Sequence, residues 1–123
     1  MPARTLASVL QLVIGVALLN VWLVRPGKST AYRGGSARSL KQEFAEYGLP
    51  PAMFYIVGAL KVLAGVVLLA ALWVHLPVAI AAAVVAVLMV GAIAMHLKVK
   101  DPVRKSVPAV VMLALCVTLL LVG

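Results

Sequence analysis

The chain has 123 residues, of which 65% are hydrophobic and 11% are charged, and its mean hydropathy is +1.17. This composition leaves no room for a water-soluble domain beside the apolar segments. The formal net charge of +8 does not indicate nucleic-acid binding, because the basic residues flank apolar runs without interleaved aromatic side chains. We therefore expect a single integral-membrane domain over residues 1–123, whose basic side chains face lipid headgroups.

Four apolar runs predict membrane-spanning helices at residues 6–24, 52–74, 78–97 and 102–122. About 20 helical residues cross a hydrocarbon core of roughly 30 Å, at a rise of about 1.5 Å per residue. Backbone amides need partners inside lipid, and alternation is too poor for barrel strands. The predicted fold is all-α, a four-transmembrane-helix bundle.

The first run has an alternative interpretation as a cleaved signal peptide. Arg4 precedes it, and Ser29, Thr30 and Ala31 loosely resemble a cleavage site. Nineteen apolar residues are too many for a typical signal, however, and the basic cluster behind them behaves as a stop-transfer flank. These features favour a retained helix.

The first loop, residues 25–50, predicts a short interfacial helix over residues 39–47. Ser39 and Gln42 have capping-box spacing, and Gly48 supplies a stop. Its apolar face, formed by Leu40, Phe44 and Tyr47, would lie in lipid or cover the mouth of the bundle. Its charged face, formed by Lys41, Glu43 and Glu46, would lie in water. The alternative is a solvated connector with no further role.

Basic residues give the orientation, because they are retained on the cytoplasmic side. Loops 25–50 and 98–105 together carry nine of them, whereas the opposite side carries only Arg4. The nine are Arg25, Lys28, Arg33, Arg38, Lys41, Lys98, Lys100, Arg104 and Lys105. Both loops, with the surface helix, are expected in the cytoplasm and both termini outside.

Lys61 is the principal candidate site residue. It lies roughly 13 Å inside the second span, where an ammonium costs at least about 2.5 kcal/mol. Gly58 and Gly65 share its helical face and would let another helix approach. Lys61 should therefore point between helices, toward partners among Gln11, Asn20, Tyr55 and His96. It would serve as a base, as a hydrogen-bond donor or as a fixed charge for an anionic or quinone-like ligand; the alternative is that it only bridges helix carbonyls.

His96 closes the third span and shares a face with Met89. It is a candidate proton shuttle, or an interfacial histidine with an ordinary hydrogen bond. Asp101 is expected to cap the fourth helix, with Pro102 at the first helical position. The candidate catalytic residues are thus Lys61, His96 and Tyr55, and the candidate ligand-binding residues are Gln11, Asn20, Gly58, Gly65 and Met89.

No metal site and no internal dithiol are expected. His75 and His96 lie at opposite membrane sides, and the single Cys116 lies in an apolar helix. Self-association is expected through the small residues Gly58 and Gly65 and those of segment 79–83. No cofactor is expected to be covalently bound.

Three segments resemble the DoxX-like proteins: Tyr47-Gly48-Leu49-Pro50, the stretch from Gly58 to Gly65 around Lys61, and the stretch from Gly91 to Leu97 with Asp101 beyond it. The resemblance covers most of the chain and implies a four-helix protein of the bacterial inner membrane. Some relatives are associated with thiosulfate:quinone oxidoreductase or thiol-redox complexes, and many relatives carry Glu where Lys61 stands.

Three functions fit these observations. The first is an accessory subunit of a quinone- or thiol-linked membrane redox system, with a soluble partner at the cytoplasmic face. The second is an isomerase- or cyclase-type enzyme acting on a hydrophobic substrate, with Lys61, Tyr55 and His96 moving protons. The third is a non-catalytic assembly or interaction protein.

Overall fold

Five helices make up the structure, a computed structural model that describes residues 3–24, 27, 32, 34–35 and 37–123. They are α1 (Ala3–Leu19), α2 (Leu40–Glu46), α3 (Pro51–Ala70), α4 (Val78–Lys98) and α5 (Val103–Val122). Four of them are long and apolar enough to cross a membrane, and the described residues contain no strand. The predicted all-α four-helix bundle is confirmed. Arg25, Lys28, Arg33 and the segment 29–31 named above lie outside the described residues.

The spans differ from their predicted bounds mainly where apolar sequence runs past a helix end. α1 begins at Ala3 and continues into a π-helical turn, Asn20–Val24. α3 stops at Ala70, four residues before the predicted end. There the backbone tightens into i−3 bonds, such as Trp73 N–H to the Ala70 carbonyl at 3.0 Å. Composition gives no warning of this ending, because the turn is as apolar as the helix.

The spanning helices pack in the cyclic order α1, α3, α4, α5, each against two neighbours. Ile14, Leu68, Val85, Cys116 and Leu119 are almost completely buried between them. Larger exposed apolar side chains cover the outer surface, as expected of helices that face lipid.

Gly65 brings α1 and α3 together. A Cβ on this glycine would lie 3.4 Å from the Gly15 carbonyl oxygen, and Gly58 packs against the Trp22 ring. The glycine face is therefore occupied within the chain, and the expectation that Gly58 and Gly65 contact a second copy is wrong.

The helix α2 has the predicted ends. Ser39 Oγ accepts the Gln42 N–H at 3.1 Å, although the Gln42 side chain accepts from Arg38 N–H, at 2.9 Å, and not from the N-cap. At the other end, Gly48 has φ +77° and its N–H bonds the Ala45 carbonyl at 3.0 Å. These bonds confirm the capping serine and the glycine stop.

The helix α2 covers the mouth of the bundle. Leu40 and Tyr47 are buried, and Lys41 and Glu46 are exposed. Glu43 is only 9% exposed, so the expectation that it faces water is wrong. It lies on the same helical face as Leu40 and Tyr47, at i+3 and i−4, and turns inward with them.

Candidate functional site

A cavity of about 330 Å³ lies inside the bundle under α2. Every helix contributes to it, with Leu18 from α1, Met89 from α4 and Met112 from α5 among the apolar walls. Its charged and ionisable side chains are Lys61, Glu43, His96, Lys105 and Tyr32. We call this cavity the polar chamber. It combines apolar walls with a few convergent polar groups, as small-molecule sites do.

Lys61 enters the polar chamber beside an aromatic ring. Its Nζ stands 5.4 Å from the ring centroid of Trp22, a cation–π contact. Gly58, one turn earlier on α3, leaves the space for that ring, since a Cβ there would lie 2.6 Å from Trp22 Cζ3. Phe44 and Phe54 hold the ring from the other sides, with centroids at 5.9 and 5.3 Å.

The partners of Lys61 are not those that the sequence predicts. Among the described residues it makes no hydrogen bond to Gln11, Asn20, Tyr55 or His96, and its attraction is to the Glu43 carboxylate and the Trp22 ring. Lys61 thus lines the cavity, and no hydrogen bond to a described residue uses its donors.

Among the described residues, Glu43 has Tyr47 and His96 as polar neighbours. Its Oε1 accepts the Tyr47 hydroxyl at 2.5 Å and lies 3.9 Å from His96 Nε2. The Tyr47 ring in turn packs edge-on against His96, with centroids 5.8 Å apart. The buried carboxylate is thus oriented by the Tyr47 phenol at the C-terminal end of α2, and the His96 imidazole of α4 lies beside it.

Asp101 holds the opposite side of the His96 ring. Its Oδ2 lies 2.8 Å from His96 Nδ1, and both carboxylate oxygens accept the Gly35 N–H, at 3.1 and 3.2 Å. Lys105 Nζ donates to the Gly35 carbonyl at 2.8 Å and lies 3.7 Å from Asp101. Asp101 therefore ties the first loop to the connection between α4 and α5.

The turn after α4 brings Asp101 back to His96. Lys100 has φ +57°, and the Asp101 N–H bonds the His96 carbonyl at 3.0 Å. This is the Schellman arrangement with lysine where glycine is usual. The expectation that Asp101 caps the fourth helix is wrong, because its carboxylate turns to His96 and Gly35, and Pro102 itself occupies the N-cap.

Electrostatics favour the ionised form of Asp101. Burial by itself would raise the pKa of this carboxyl group, but the hydrogen bonds from His96 and Gly35 and the charge of Lys105 outweigh burial and hold that pKa below its ordinary value. A charged Asp101 accepts from His96 Nδ1–H and leaves Nε2 directed toward Glu43.

The structure brings three of the predicted site residues together and separates the others. Lys61, His96 and Met89 line the polar chamber, and Gly58 lies behind the Trp22 ring. The remaining four lie elsewhere: Tyr55 is 60% exposed beside Lys41, Gln11 donates to the Leu68 carbonyl, Asn20 lines a different cavity, and Gly65 packs on Gly15.

Glu43, Asp101 and Trp22 are the site residues that sequence reasoning missed. The spacing of Leu40, Glu43 and Tyr47 already indicated one buried face, so Glu43 carried a signal. Nothing local indicated that Asp101 bonds back to His96 or that Trp22 stacks near Lys61. The contact of Asp101 with His96 depends on the left-handed backbone conformation of Lys100, and the contact of Trp22 with Lys61 depends on how the helices pack.

The fold and the apolar spans define a small, multi-pass integral membrane protein. A family model described as the DoxX-like family matches residues 27–119, most of the chain, and the protein belongs to that family. Comparison with curated proteins and with solved structures found no match.

Proposed function

We propose that the protein is an accessory membrane subunit of a redox system and binds a quinone-like molecule in the polar chamber. The polar chamber carries this proposal, because Lys61, Glu43 and His96 converge on one apolar cavity. Its volume of about 330 Å³ falls within the range of roughly 300–1,000 Å³ that is usual for small-molecule sites.

The donor set fits a head that carries carbonyl oxygens. Lys61 supplies donors from one wall, and Glu43 and His96 can accept or return a proton at the same end. A bound quinone would supply two-electron chemistry, and a partner protein would have to exchange the electrons with it. The chain's own part is to orient the head, exclude water and hold protons nearby.

Orientation and location extend the proposal. The structure joins the first loop to the third through Asp101 with Gly35 and through Lys98, whose Nζ donates to the Tyr47 carbonyl at 2.7 Å. Basic residues concentrate on this side, so we place it in the cytoplasm of a bacterial cell with both termini outside the inner membrane. A soluble redox partner would then dock beside α2. Exposed small residues of α4, Ala79 and Ala83, remain available for a second copy.

A second candidate is an enzyme that moves protons on a hydrophobic substrate. The specific observation in its favour is the pair formed by Asp101 and His96, which fixes the imidazole as a base-and-orienter arrangement does. Tyr55, expected as a third group, is exposed outside the cavity. The third candidate, a purely structural assembly protein, gives no role to the polar chamber.

Replacement of Lys61 tests the proposal. Gently purified wild-type protein and Lys61→Met would be compared by native mass spectrometry for retained quinone, and Lys41→Met would control for the loss of a lysine on the same side. We expect Lys61→Met to lose the ligand and Lys41→Met to keep it. If Lys61→Met changed only the thermal stability and retained the ligand, the redox proposal and the enzyme proposal would both fail. Turnover without a partner protein would favour the enzyme.

A further inference from the structure

A second cavity, of about 340 Å³, lies between α3 and α4 beneath α2. We call it the side groove. Apart from Lys61, its walls in the two spanning helices are apolar: Met53, Val57, Val87, Leu88, Gly91, Ala92 and Met95.

The side groove meets the polar chamber at a shared wall. Glu43, Lys61 and Ala92 line both cavities. The Lys61 ammonium therefore borders both the side groove and the polar chamber. A molecule in the side groove would have one end beside Lys61 and the other end between α3 and α4.

The rim of the side groove faces the membrane. Val87 is 70% exposed and Gly91 is exposed, with no atom within 4 Å of a Cβ built on it. Both residues belong to a spanning helix, so their exposed surface contacts acyl chains and not water. On the loop side, the buried residues Leu40 of α2 and Tyr47, which follows that helix, cover the cavity. Access to Lys61 along this path is thus lateral, from the bilayer.

We propose that the side groove admits a ligand with a single apolar tail from the bilayer and holds the tail while its oxygen-bearing head rests against Lys61. This inference rests on the proposed function and adds to it the shape of the ligand and its route. Transfer of the tail from lipid into the groove contributes little binding free energy, because acyl chains are as apolar as the groove. Its role is positional, since it aligns the head with the shared wall.

Quenching of Trp22 fluorescence reports on the head directly. Trp22 is 8% exposed beside Lys61, whereas Trp73 is 83% exposed beyond the end of α3. In a Trp73→Phe background, Trp22 is the remaining tryptophan. The probes are decylubiquinone and its tailless analogue, ubiquinone-0, added to protein in lipid nanodiscs. A Trp22→Phe variant that retains Trp73 measures quenching by quinone merely dissolved in the lipid.

Two phenylalanine substitutions separate the side groove from the rest of the lipid face. Gly91→Phe fills the groove at a position with open space, and it replaces a glycine within a helix, so it should not impair folding. Ala94→Phe, one turn away on the same exposed helix, lies outside the groove and is the matched control. Lys61→Met removes the contact with the head.

We expect Gly91→Phe to weaken quenching by decylubiquinone by roughly tenfold or more and to leave quenching by ubiquinone-0 within about twofold. Ala94→Phe should match the background protein. The role of the groove would be overturned if Gly91→Phe and Ala94→Phe changed the quenching equally. It would also be overturned if Gly91→Phe weakened quenching by decylubiquinone and by ubiquinone-0 to the same extent. If Lys61→Met loses quenching and Gly91→Phe retains it, the tail route is wrong and the redox proposal stands. If the quinones quench Trp22 in the Trp73→Phe protein no more than the Trp22→Phe control predicts for quinone dissolved in lipid, the tail route and the redox proposal are both wrong.

Discussion

Gly58→Ala tests whether the ring of Trp22 fixes α1 against α3. The added Cβ would lie 2.6 Å from Cζ3 and 2.8 Å from Cε3 of the ring, whereas carbon atoms pack at about 3.5–4.0 Å. The ring would have to retreat by roughly 1 Å. Phe44 and Phe54 stand behind it, with centroids at 5.9 and 5.3 Å, so it has little freedom to move.

The expected loss follows from two opposing effects. Overpacking of a rigid side chain costs about 1–3 kcal/mol, and the better helix propensity of alanine returns up to about 1 kcal/mol. We therefore expect Gly58→Ala to lower the free energy of unfolding by about 1–2 kcal/mol. Gly91→Ala is the matched control, because nothing lies within 4 Å of its Cβ, and it should be neutral or gain up to about 1 kcal/mol.

Reversible unfolding by sodium dodecyl sulfate in mixed micelles, followed by circular dichroism, measures both variants. Unfolding of Gly58→Ala at the wild-type detergent fraction would refute the contact between Trp22 and α3. A loss in Gly91→Ala equal to that in Gly58→Ala would refute it too, because the effect would then belong to any glycine in these spans.

Two further predictions concern the turn after α4. Asp101→Asn should lose about 2–3 kcal/mol, because hydrogen bonds to a charged acceptor are weakened at His96 and Gly35. Because the pKa of Asp101 is lowered in the folded protein, its stabilisation is present above about pH 4 and is lost as the pH falls through the folded pKa. The difference in thermal stability between wild type and Asp101→Asn should therefore shrink on acidification. A difference that stays constant with pH would contradict the role of the Asp101 charge. Lys100→Gly should raise the free energy of unfolding by about 1 kcal/mol, because a lysine is strained at φ +57°. Lys98→Gly, inside the helix, should lower the free energy of unfolding. If both variants were less stable than wild type, the strain at Lys100 would be absent.

The sequence was sufficient for the architecture because bilayer thickness sets span length. Four apolar runs and one capped amphipathic segment predicted all five helices, with the ends of α2 placed by Ser39 and Gly48. The end of α3 was misplaced, since a turn inside lipid-facing sequence has no polar marker. Length and capping chemistry are local properties, and they can be inferred residue by residue.

The candidate site was predicted only in part because its contacts are non-local. Lys61 was identifiable as an isolated charge in an apolar run, but its neighbours depend on helix rotation and crossing. Tyr55 lies six residues from Lys61 and faces outward, whereas Trp22 comes from a π-helical turn in another span. The charge of Glu43 predicts exposure to water, whereas its spacing from Leu40 and Tyr47 places it on the buried face, where the structure has it.

Glu43 belongs to the connecting helix α2 and not to a membrane-spanning helix, and this bears on how the protein inserts and folds. Lys61 is the lone charged side chain of α3 and must enter the bilayer with that helix during insertion. Since Glu43 lies on α2, its carboxylate comes near Lys61 only when α2 docks on the bundle. Docking of α2 therefore both places a carboxylate near the Lys61 ammonium and covers the polar chamber.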